Sequence, residues 1–263
     1  MSTLLKGHKV KRIVVKVGTS TLTHGTGLLN LRRIENLAKI LSDIKNSGVD
    51  VVLVTSGAIG VGMSKLGMTV RPSEVRYKQA AASVGQCELM HIYDKFFLDF
   101  GQTIGQILIT RDDVATPERR KCVEDTLETL IETGAIPIVN ENDSTGIDEI
   151  LFGDNDSLSA QVAVLSHADL LVLFSDIDGL YDKDPHKYDD AKLIPIVDEL
   201  DNMNCDIGGA GSNRGTGGMI SKINAAKEAN SHGIDMIITN GENINVLYDI
   251  LEGKPTGTVF MCK

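Results

Sequence analysis

The sequence has no tryptophan, and aromatic residues make up only 4% of its 263 residues. It has four cysteines, Cys87, Cys122, Cys205 and Cys262. They form no CxxC pair and have no histidine cluster beside them, so neither a zinc site nor a disulfide framework is indicated. No apolar run approaches the roughly 18 residues of a membrane span, and the apolar stretch near the N-terminus is too short for a secretory leader. We therefore expect a cytoplasmic protein with reduced thiols and no membrane association.

Positively charged residues are also fewer than negatively charged ones. Lysine and arginine number 26 against 36 aspartates and glutamates, which gives a formal net charge of −10. Affinity for a phosphate backbone depends on dense lysine and arginine, so this composition argues against a nucleic-acid binder. An anionic ligand would have to be held by a few local cations against the field of the whole protein.

Short apolar runs alternate with longer amphipathic segments along the chain. The first unit is a predicted strand at 12–17, a helix at 31–47 and a strand at 49–55, because apolar residues of the helix recur at 3.6-residue spacing and Gly48 follows it. Further helices are predicted at 74–100, 118–133, 157–166, 219–231 and 245–251, and further strands at 103–109, 135–139, 170–174, 234–239 and 258–261. Strands that are apolar on both faces and alternate with helices are typical of a mostly parallel sheet covered on each side. The predicted fold class is therefore α/β, a three-layer α/β/α sandwich.

Several phosphate-binding and catalytic motifs are missing from the sequence. It has neither GxxxxGK[ST] nor GxGxxG, and it lacks HExxH, GxSxG and the protein-kinase signatures. What remains is a glycine-rich segment at 215–219 before a predicted helix with Lys222 in its first turn. Glycines let the backbone approach a phosphate, and a cation in a first turn opposes the helix dipole unless an anion lies between. The alternative is a flexible turn beside a surface lysine.

Lys16 lies near the end of the first predicted strand. It shares a face with Val14, while Ile13, Val15 and Val17 share the other face. In open α/β sheets the ligand crevice lies beyond the carboxyl ends of the strands, so Lys16 would enter that crevice, although most lysines simply point to solvent. Two lysines beside glycine-rich turns suit a transferring phosphoryl group, whose charge needs cations but little covalent chemistry.

Other polar residues follow the predicted strands and are candidate ligand-binding residues. They are Ser56, Gly57, Asp143, Asn155, Asp156, Ser175 and Asp176. Each has a simpler explanation. Ser56 with Gly57, and Ser175 with Asp176, would form ordinary turns. Asn155 and Asp156 would cap the next helix, and Asp143 would be a solvated loop residue. If they act together, they would line a site for an anionic substrate and a nucleotide.

Six short segments occur in a fixed order, namely KVGTS at 16–20, TSGAI at 55–59, NEND at 140–143, FGDND at 152–156, SDIDGLY at 175–181 and GTGGM at 215–219. Together they resemble the amino acid kinase family, and within it the branch that phosphorylates glutamate. The resemblance covers about residues 12–241. It implies a single amino acid kinase domain over 1–263, with an amino-acid-binding lobe at about 1–150 and a nucleotide-binding lobe at about 151–263. Many members of this branch continue into a C-terminal PUA domain, which we do not expect in this chain.

The resemblance implies an enzyme that transfers the γ-phosphoryl group of ATP in line to the side-chain carboxylate of L-glutamate. The implied product is L-glutamate 5-phosphate, in the first step of proline biosynthesis. The implied catalytic residues are Lys16 and Lys222, which would flank the phosphoryl group, and Asp156, which would orient them. The implied glutamate-binding residues are Ser56, Gly57, Asp143 and Asn155. The implied ATP-binding residues are Lys16, Ser175, Asp176, Thr216, Gly217, Gly218, Met219, Ile220, Ser221 and Lys222.

The resemblance also implies cofactors and partners. Magnesium is expected to arrive with ATP, held largely by phosphates and water, and no protein residue is assigned to it as a ligand. L-Proline is the expected feedback inhibitor, the chain is expected to form a dimer or tetramer, and glutamate-5-phosphate reductase is the expected functional partner. Two alternatives stay open: a different acid substrate, such as aspartate or N-acetylglutamate, and an amino-acid sensor without transfer. The presence of Lys16 and Lys222 argues against the sensor.

Overall fold

The computed structural model describes residues 10–146, 155–185, 187–198, 200, 218–254 and 256–262. Its strands are β1 Arg12–Lys16, β2 Asp50–Val54, β3 Ile104–Ile109, β4 Ile136–Glu141, β5 Leu170–Ser175, β6 Ile196–Val197, β7 Asp235–Asn240 and β8 Thr258–Phe260. Its helices are α1 Thr19–Leu22, α2 Leu31–Asn46, α3 Ala58–Lys65, α4 Val75–Asp99, α5 Arg111–Ala115, α6 Pro117–Glu132, α7 Asn155–Leu165, α8 Met219–Ser231 and α9 Val246–Leu251. Each predicted element is present, with ends within two residues of the prediction.

The strands form one eight-stranded sheet in the order β3-β4-β2-β1-β5-β7-β8-β6. Neighbouring strands from β3 to β7 are parallel. Strand β8 is antiparallel to β7, and β6 is parallel to β8. Helices pack on both faces of the sheet, which confirms the predicted three-layer α/β/α fold with a mostly parallel sheet. The carboxyl ends of the central strands therefore meet at one edge, where the candidate site lies.

Strand β1 runs through the centre of the sheet and divides its side chains between two apolar cores. Ile13 and Val15 belong to the core under α2, α4 and α9. Val14 belongs to the core under α6, α7 and α8. Because side chains alternate along a strand, Lys16 follows Val14 on the side of α7 and α8. The two residues share a face, as the sequence predicts.

Helices α3 and α4 cross with backbone against backbone. A Cβ atom on Gly85 of α4 would overlap the carbonyl oxygen of Ala58, and one on Gly62 of α3 would overlap that of Ala81. Gly57 precedes α3 with φ at 96°, a left-handed conformation that favours glycine. The long helix α4 thus holds the start of α3 against the sheet edge where β2 ends.

The sequence pattern does not predict four short elements, which are α1, α3, α5 and β6. They span one or two turns or two residues, too few for an apolar period to show. In α3 the glycines also indicate a turn, and the helix forms because α4 packs against it. Helix α7 begins two residues earlier than predicted, so Asn155 and Asp156 lie in its first turn, and their side chains reach other elements.

Candidate active site

One buried carboxylate joins three elements that are far apart in the sequence. Nζ of Lys16, at the end of β1, donates to Oδ1 of Asp156 in the first turn of α7 at 2.5 Å. Nζ of Lys222, in the first turn of α8, donates to Oδ2 of the same carboxylate at 2.9 Å. Ser221 Oγ donates to that oxygen at 3.0 Å. We call Lys16, Asp156 and Lys222 the lysine–aspartate cluster.

The cluster is buried and carries more positive than negative charge. Asp156 is 1% exposed, Lys222 7% and Lys16 8%. Burial alone would raise the pKa of Asp156, but the charges and hydrogen bonds of Lys16 and Lys222 outweigh burial and hold that pKa well below its usual range. Among the residues that the structure describes, two ammonium groups therefore face one ionised carboxylate, an arrangement suited to stabilising an added anion.

Asn155, the residue before Asp156, ties α7 to the end of β2. Its Nδ2 donates to the Thr55 carbonyl oxygen at 2.8 Å and to Ser56 Oγ at 2.7 Å, and it lies 3.2 Å from Oδ1 of Asn140. The structure thus brings together two of the predicted glutamate-binding residues. Because Asn155 and Asp156 are consecutive, this pair lies next to the lysine–aspartate cluster.

The other two predicted glutamate-binding residues are Gly57 and Asp143. Gly57 is the N-cap residue of α3, and the described residues provide no side-chain cap there. The backbone N–H groups of a helix start favour an anion. Asp143 lies in the turn after β4. It lines a cavity of about 410 Å³ that Ala58 of α3 and Gln86 of α4 also line. Asp143 and the start of α3 therefore border the same space.

Ser175 and Asp176 follow β5 at the same edge of the sheet. Ser175 Oγ donates to Oδ1 of Asp176 at 3.2 Å, and the Ser175 carbonyl oxygen accepts from the Gly241 N–H at 2.8 Å. Strand β5 pairs directly with β1. The two residues therefore lie one strand away from the end of β1, where Lys16 enters the cluster.

The predicted nucleotide-binding residues at the start of α8 are partly described. Gly218 is the N-cap residue of α8. Met219 packs against the apolar core, whereas Ile220 is 58% exposed. Only Ser221 and Lys222 of this segment have a described contact with Asp156. Two further predicted residues, Thr216 and Gly217, lie outside the described residues.

Two polar residues of α4 support this edge and were not predicted from the sequence. Oε1 of Gln86 accepts from Nδ2 of Asn140 at 2.8 Å, and the Tyr93 hydroxyl lies 2.8 Å from Oγ1 of Thr55. Burial raises the pKa of Tyr93, although the hydrogen bond with Thr55 lowers it, so the phenol stays protonated. Their spacing in the sequence could have identified them. Positions 82, 86, 89 and 93 lie on one helix face, and polar groups on a buried face need hydrogen-bond partners.

Over the ranges that the structure describes, no helix is both long enough and apolar enough to cross a membrane. In the same ranges, no group of three or more His, Cys, Asp or Glu side chains is arranged to hold a metal ion. Cys87 and Cys122 are exposed thiols, and Sγ of Cys262 donates to the Gly233 carbonyl oxygen at 3.2 Å. Cys205 lies outside the described residues.

Comparison with curated proteins finds relatives along nearly the whole chain. Glutamate 5-kinase of Clostridium perfringens is 55% identical over 259 residues, which cover 96% of this chain and 96% of that protein. Glutamate 5-kinase of Clostridium acetobutylicum is 51% identical over 255 residues, or 97% of this chain and 96% of that protein. Glutamate 5-kinase of Caldanaerobacter subterraneus is 50% identical over 251 residues, or 95% of this chain and 68% of that protein.

The chain also resembles solved structures and matches a family profile. UMP kinase from Bacillus anthracis has a TM-score of 0.67 at 18% identity and covers 97% of this chain and 98% of its own. Isopentenyl phosphate kinase from T. acidophilum has a TM-score of 0.64 at 20% identity, with 95% and 99% covered. At such identity the likeness establishes the fold alone. The profile of the amino acid kinase family matches residues 11–240, and this chain therefore belongs to the amino acid kinase family.

Proposed function

We propose that this chain transfers the γ-phosphoryl group of ATP to the side-chain carboxylate of L-glutamate, forming L-glutamate 5-phosphate in the first step of proline biosynthesis. Relatives named glutamate 5-kinase support the proposal, because they match nearly the whole chain at up to 55% identity. The observation that carries it is the lysine–aspartate cluster, in which two buried ammonium groups share one carboxylate. Phosphoryl transfer needs such positive charge more than it needs covalent chemistry.

In the proposed reaction, a side-chain carboxylate oxygen of glutamate attacks the γ-phosphorus of ATP. The new P–O bond forms as the bond from the γ-phosphorus to the β–γ bridging oxygen breaks, and ADP leaves with that electron pair. Lys16 and Lys222 would contact the phosphoryl oxygens and offset the repulsion between two anions. Asp156 would hold both ammonium groups in place, since it is hydrogen-bonded to each.

We propose that glutamate lies between the lysine–aspartate cluster and the turn at Ser56 and Gly57. Ser56 Oγ accepts a hydrogen bond from Asn155, so its own proton is available to a substrate carboxylate, as are the N–H groups at the start of α3. Oδ1 of Asn155 and the carboxylate of Asp143 would accept hydrogen bonds from the substrate ammonium group. This assignment uses the four residues that the sequence singles out.

The nucleotide would be bound at the carboxyl end of β5 and at the start of α8. Ser175 and Asp176 would contact it on one side, and residues 216–222 on the other. Glycines before a helix allow close approach of a triphosphate, and the helix start favours its charge. Mg²⁺ would enter as part of the MgATP substrate, held largely by phosphate oxygens and water.

Several further expectations belong to the same proposal. Residues from about 1 to 150 would form the amino-acid lobe, and residues from about 151 to 263 would form the nucleotide lobe. The chain would work in the cytoplasm as a homo-oligomer, a dimer or a tetramer, and L-proline would inhibit it as an end product. An acyl phosphate is labile in water, so an enzyme that reduces it, glutamate-5-phosphate reductase, would be its functional partner.

The test is an incubation of purified protein with MgATP, L-glutamate and hydroxylamine. We expect γ-glutamyl hydroxamate to form only when both substrates are present. L-Aspartate and N-acetyl-L-glutamate are assayed in parallel, and kcat/KM should favour glutamate by about 100-fold. Preference for another acid would replace the proposed substrate, and the absence of acid-dependent hydroxamate would refute phosphoryl transfer.

A further inference from the structure

A series of amide side chains, the first half-buried and the other two buried, leads from the proposed glutamate site into α4. Nδ2 of Asn155 lies 3.2 Å from Oδ1 of Asn140, and Nδ2 of Asn140 donates to Oε1 of Gln86 at 2.8 Å. Asn140 is 1% exposed and Gln86 8%. We call Asn155, Asn140 and Gln86 the amide chain. Gln86 is its member farthest from the substrate.

One backbone group fixes the direction of the hydrogen bonds along the amide chain. The Thr55 carbonyl oxygen accepts from Asn155 at 2.8 Å. Because a carbonyl oxygen cannot donate, the NH₂ group of Asn155 must face it. The same NH₂ group faces Asn140, whose oxygen must therefore point toward Asn155 and whose own NH₂ group must point toward Gln86. The oxygen of Gln86 is the final acceptor.

We propose that Gln86 is a positioning residue for glutamate binding that acts through Asn140 on Asn155; this inference rests on the proposed function. With its NH₂ group held by Thr55, Ser56 and Asn140, the Asn155 amide directs Oδ1 to the opposite side, toward the substrate ammonium group. Without the acceptor on Gln86, the buried NH₂ group of Asn140 loses its partner. Asn140 would then turn to satisfy it and withdraw its oxygen from Asn155.

The NH₂ group of Gln86 indicates that this side chain has a role besides packing. Its Nε2 is buried and has no hydrogen-bond partner among the residues described. A buried donor without an acceptor destabilises a fold, and a methionine of similar volume would avoid that penalty. Glutamine here is explained if its oxygen is needed to hold Asn140.

Steady-state kinetics of the full chain test this inference, with L-glutamate and MgATP varied separately in the hydroxamate assay. Gln86→Met removes both polar ends at similar volume, and Gln86→Asn shortens the side chain so that its oxygen no longer reaches Asn140. Gln86→Glu keeps an acceptor oxygen at the original length. The matched control is Thr126→Ala, on the exposed face of α6, where the hydroxyl likewise donates to a carbonyl oxygen one turn earlier, that of Cys122.

We expect the KM for glutamate to rise about tenfold in Gln86→Met and Gln86→Asn, with the KM for ATP within about twofold of wild type. Gln86→Glu and Thr126→Ala should keep a glutamate KM within about threefold of wild type. A merely structural role would lower the melting temperature without changing the glutamate KM of the folded enzyme. If Gln86→Met does not fold, the glutamate KM of Gln86→Asn is compared with that of Gln86→Glu, and a higher value in Gln86→Asn alone supports the inference.

Three results would overturn the inference while leaving the proposed function intact. They are an unchanged glutamate KM in the methionine and asparagine variants, an equal rise in KM for both substrates, and a glutamate variant as impaired as the methionine variant. A wild-type protein that forms no glutamate-dependent hydroxamate would instead refute the proposed function itself.

Discussion

Replacing Asp156 with asparagine removes the negative charge that Lys16 and Lys222 share. The asparagine keeps one acceptor oxygen, but its NH₂ group must face one of the two ammonium groups, so a donor meets a donor. In wild type the two ammonium groups lie 2.5 and 2.9 Å from the carboxylate oxygens, and all three residues are at most 8% exposed. The variant therefore leaves two buried like charges without the carboxylate.

Breaking a buried ion pair by removing one partner costs about 3–5 kcal/mol. Because asparagine retains one hydrogen-bond acceptor, we expect the lower end, about 3 kcal/mol, for Asp156→Asn. At about 2 °C per kcal/mol for a chain of this size, the melting temperature should fall by about 6 °C. MgATP brings negative charge to the same lysines, so its addition should raise the melting temperature of the variant more than that of wild type.

The assays are urea unfolding and thermal melting, both followed by circular dichroism, with and without MgATP. The matched control is Asp249→Asn, since Asp249 pairs with Lys254 at 2.7 Å on the surface, with 46% of its side chain exposed. The control should lose less than about 1 kcal/mol. An Asp156→Asn variant within about 1 kcal/mol of wild type in the absence of nucleotide would refute the account of this cluster.

The same carboxylate predicts a pH dependence. Although burial raises it, the pKa of Asp156 in the fold is lowered overall by Lys16 and Lys222, whereas in the unfolded chain it lies near its usual value of about 3.9. A lowered pKa contributes stability that is present above the unfolded pKa and is lost as the pH falls toward the folded pKa. Wild type should therefore lose stability more steeply than Asp156→Asn below about pH 4.

Three further substitutions test other parts of the structure. Lys222→Ala should lower kcat by about 10²–10³-fold with the glutamate KM within about threefold, whereas Lys254→Ala, an exposed control, should not change turnover; unchanged turnover in Lys222→Ala would contradict its assigned role. Gly85→Ala places a Cβ atom on the Ala58 carbonyl oxygen and should cost about 3 kcal/mol or more in urea unfolding; wild-type stability would show that α3 and α4 separate easily. Tyr93→Phe removes the buried hydrogen bond to Thr55 and should cost about 1–2 kcal/mol, which a coincident urea midpoint would disprove.

Much of the fold is encoded in local patterns. Strand β1 is predicted because its residues are apolar on both faces, and the alternation that assigns Ile13 and Val15 to one face assigns Val14 and Lys16 to the other. Helix α3 escapes prediction because it is short and rich in glycine. Those glycines indicate a turn locally, but they also allow the close contact with α4 that holds the helix in place.

The candidate site, like the fold, is predicted from local patterns in part and depends on long-range contacts for the rest. The position of Lys16 at a strand end and of Lys222 in a first turn are local features, so the sequence singles them out. Their meeting on Asp156 depends on contacts across 140 and 66 residues, which no local period encodes. Gln86 was missed for a related reason: its spacing places it on the buried face of α4, but only the fold shows that Asn140 is its partner.

The most direct test of phosphoryl transfer to glutamate traces a side-chain oxygen atom of the substrate. L-Glutamate labelled with oxygen-18 at both side-chain oxygens is incubated with MgATP and the protein, and hydroxylamine then cleaves the acyl phosphate at its carbonyl carbon. Because the oxygen that attacked phosphorus leaves with the phosphate, we predict one oxygen-18 atom in each phosphate released, measured by mass spectrometry. Unlabelled phosphate would show that water receives the phosphoryl group, and that result would contradict the account.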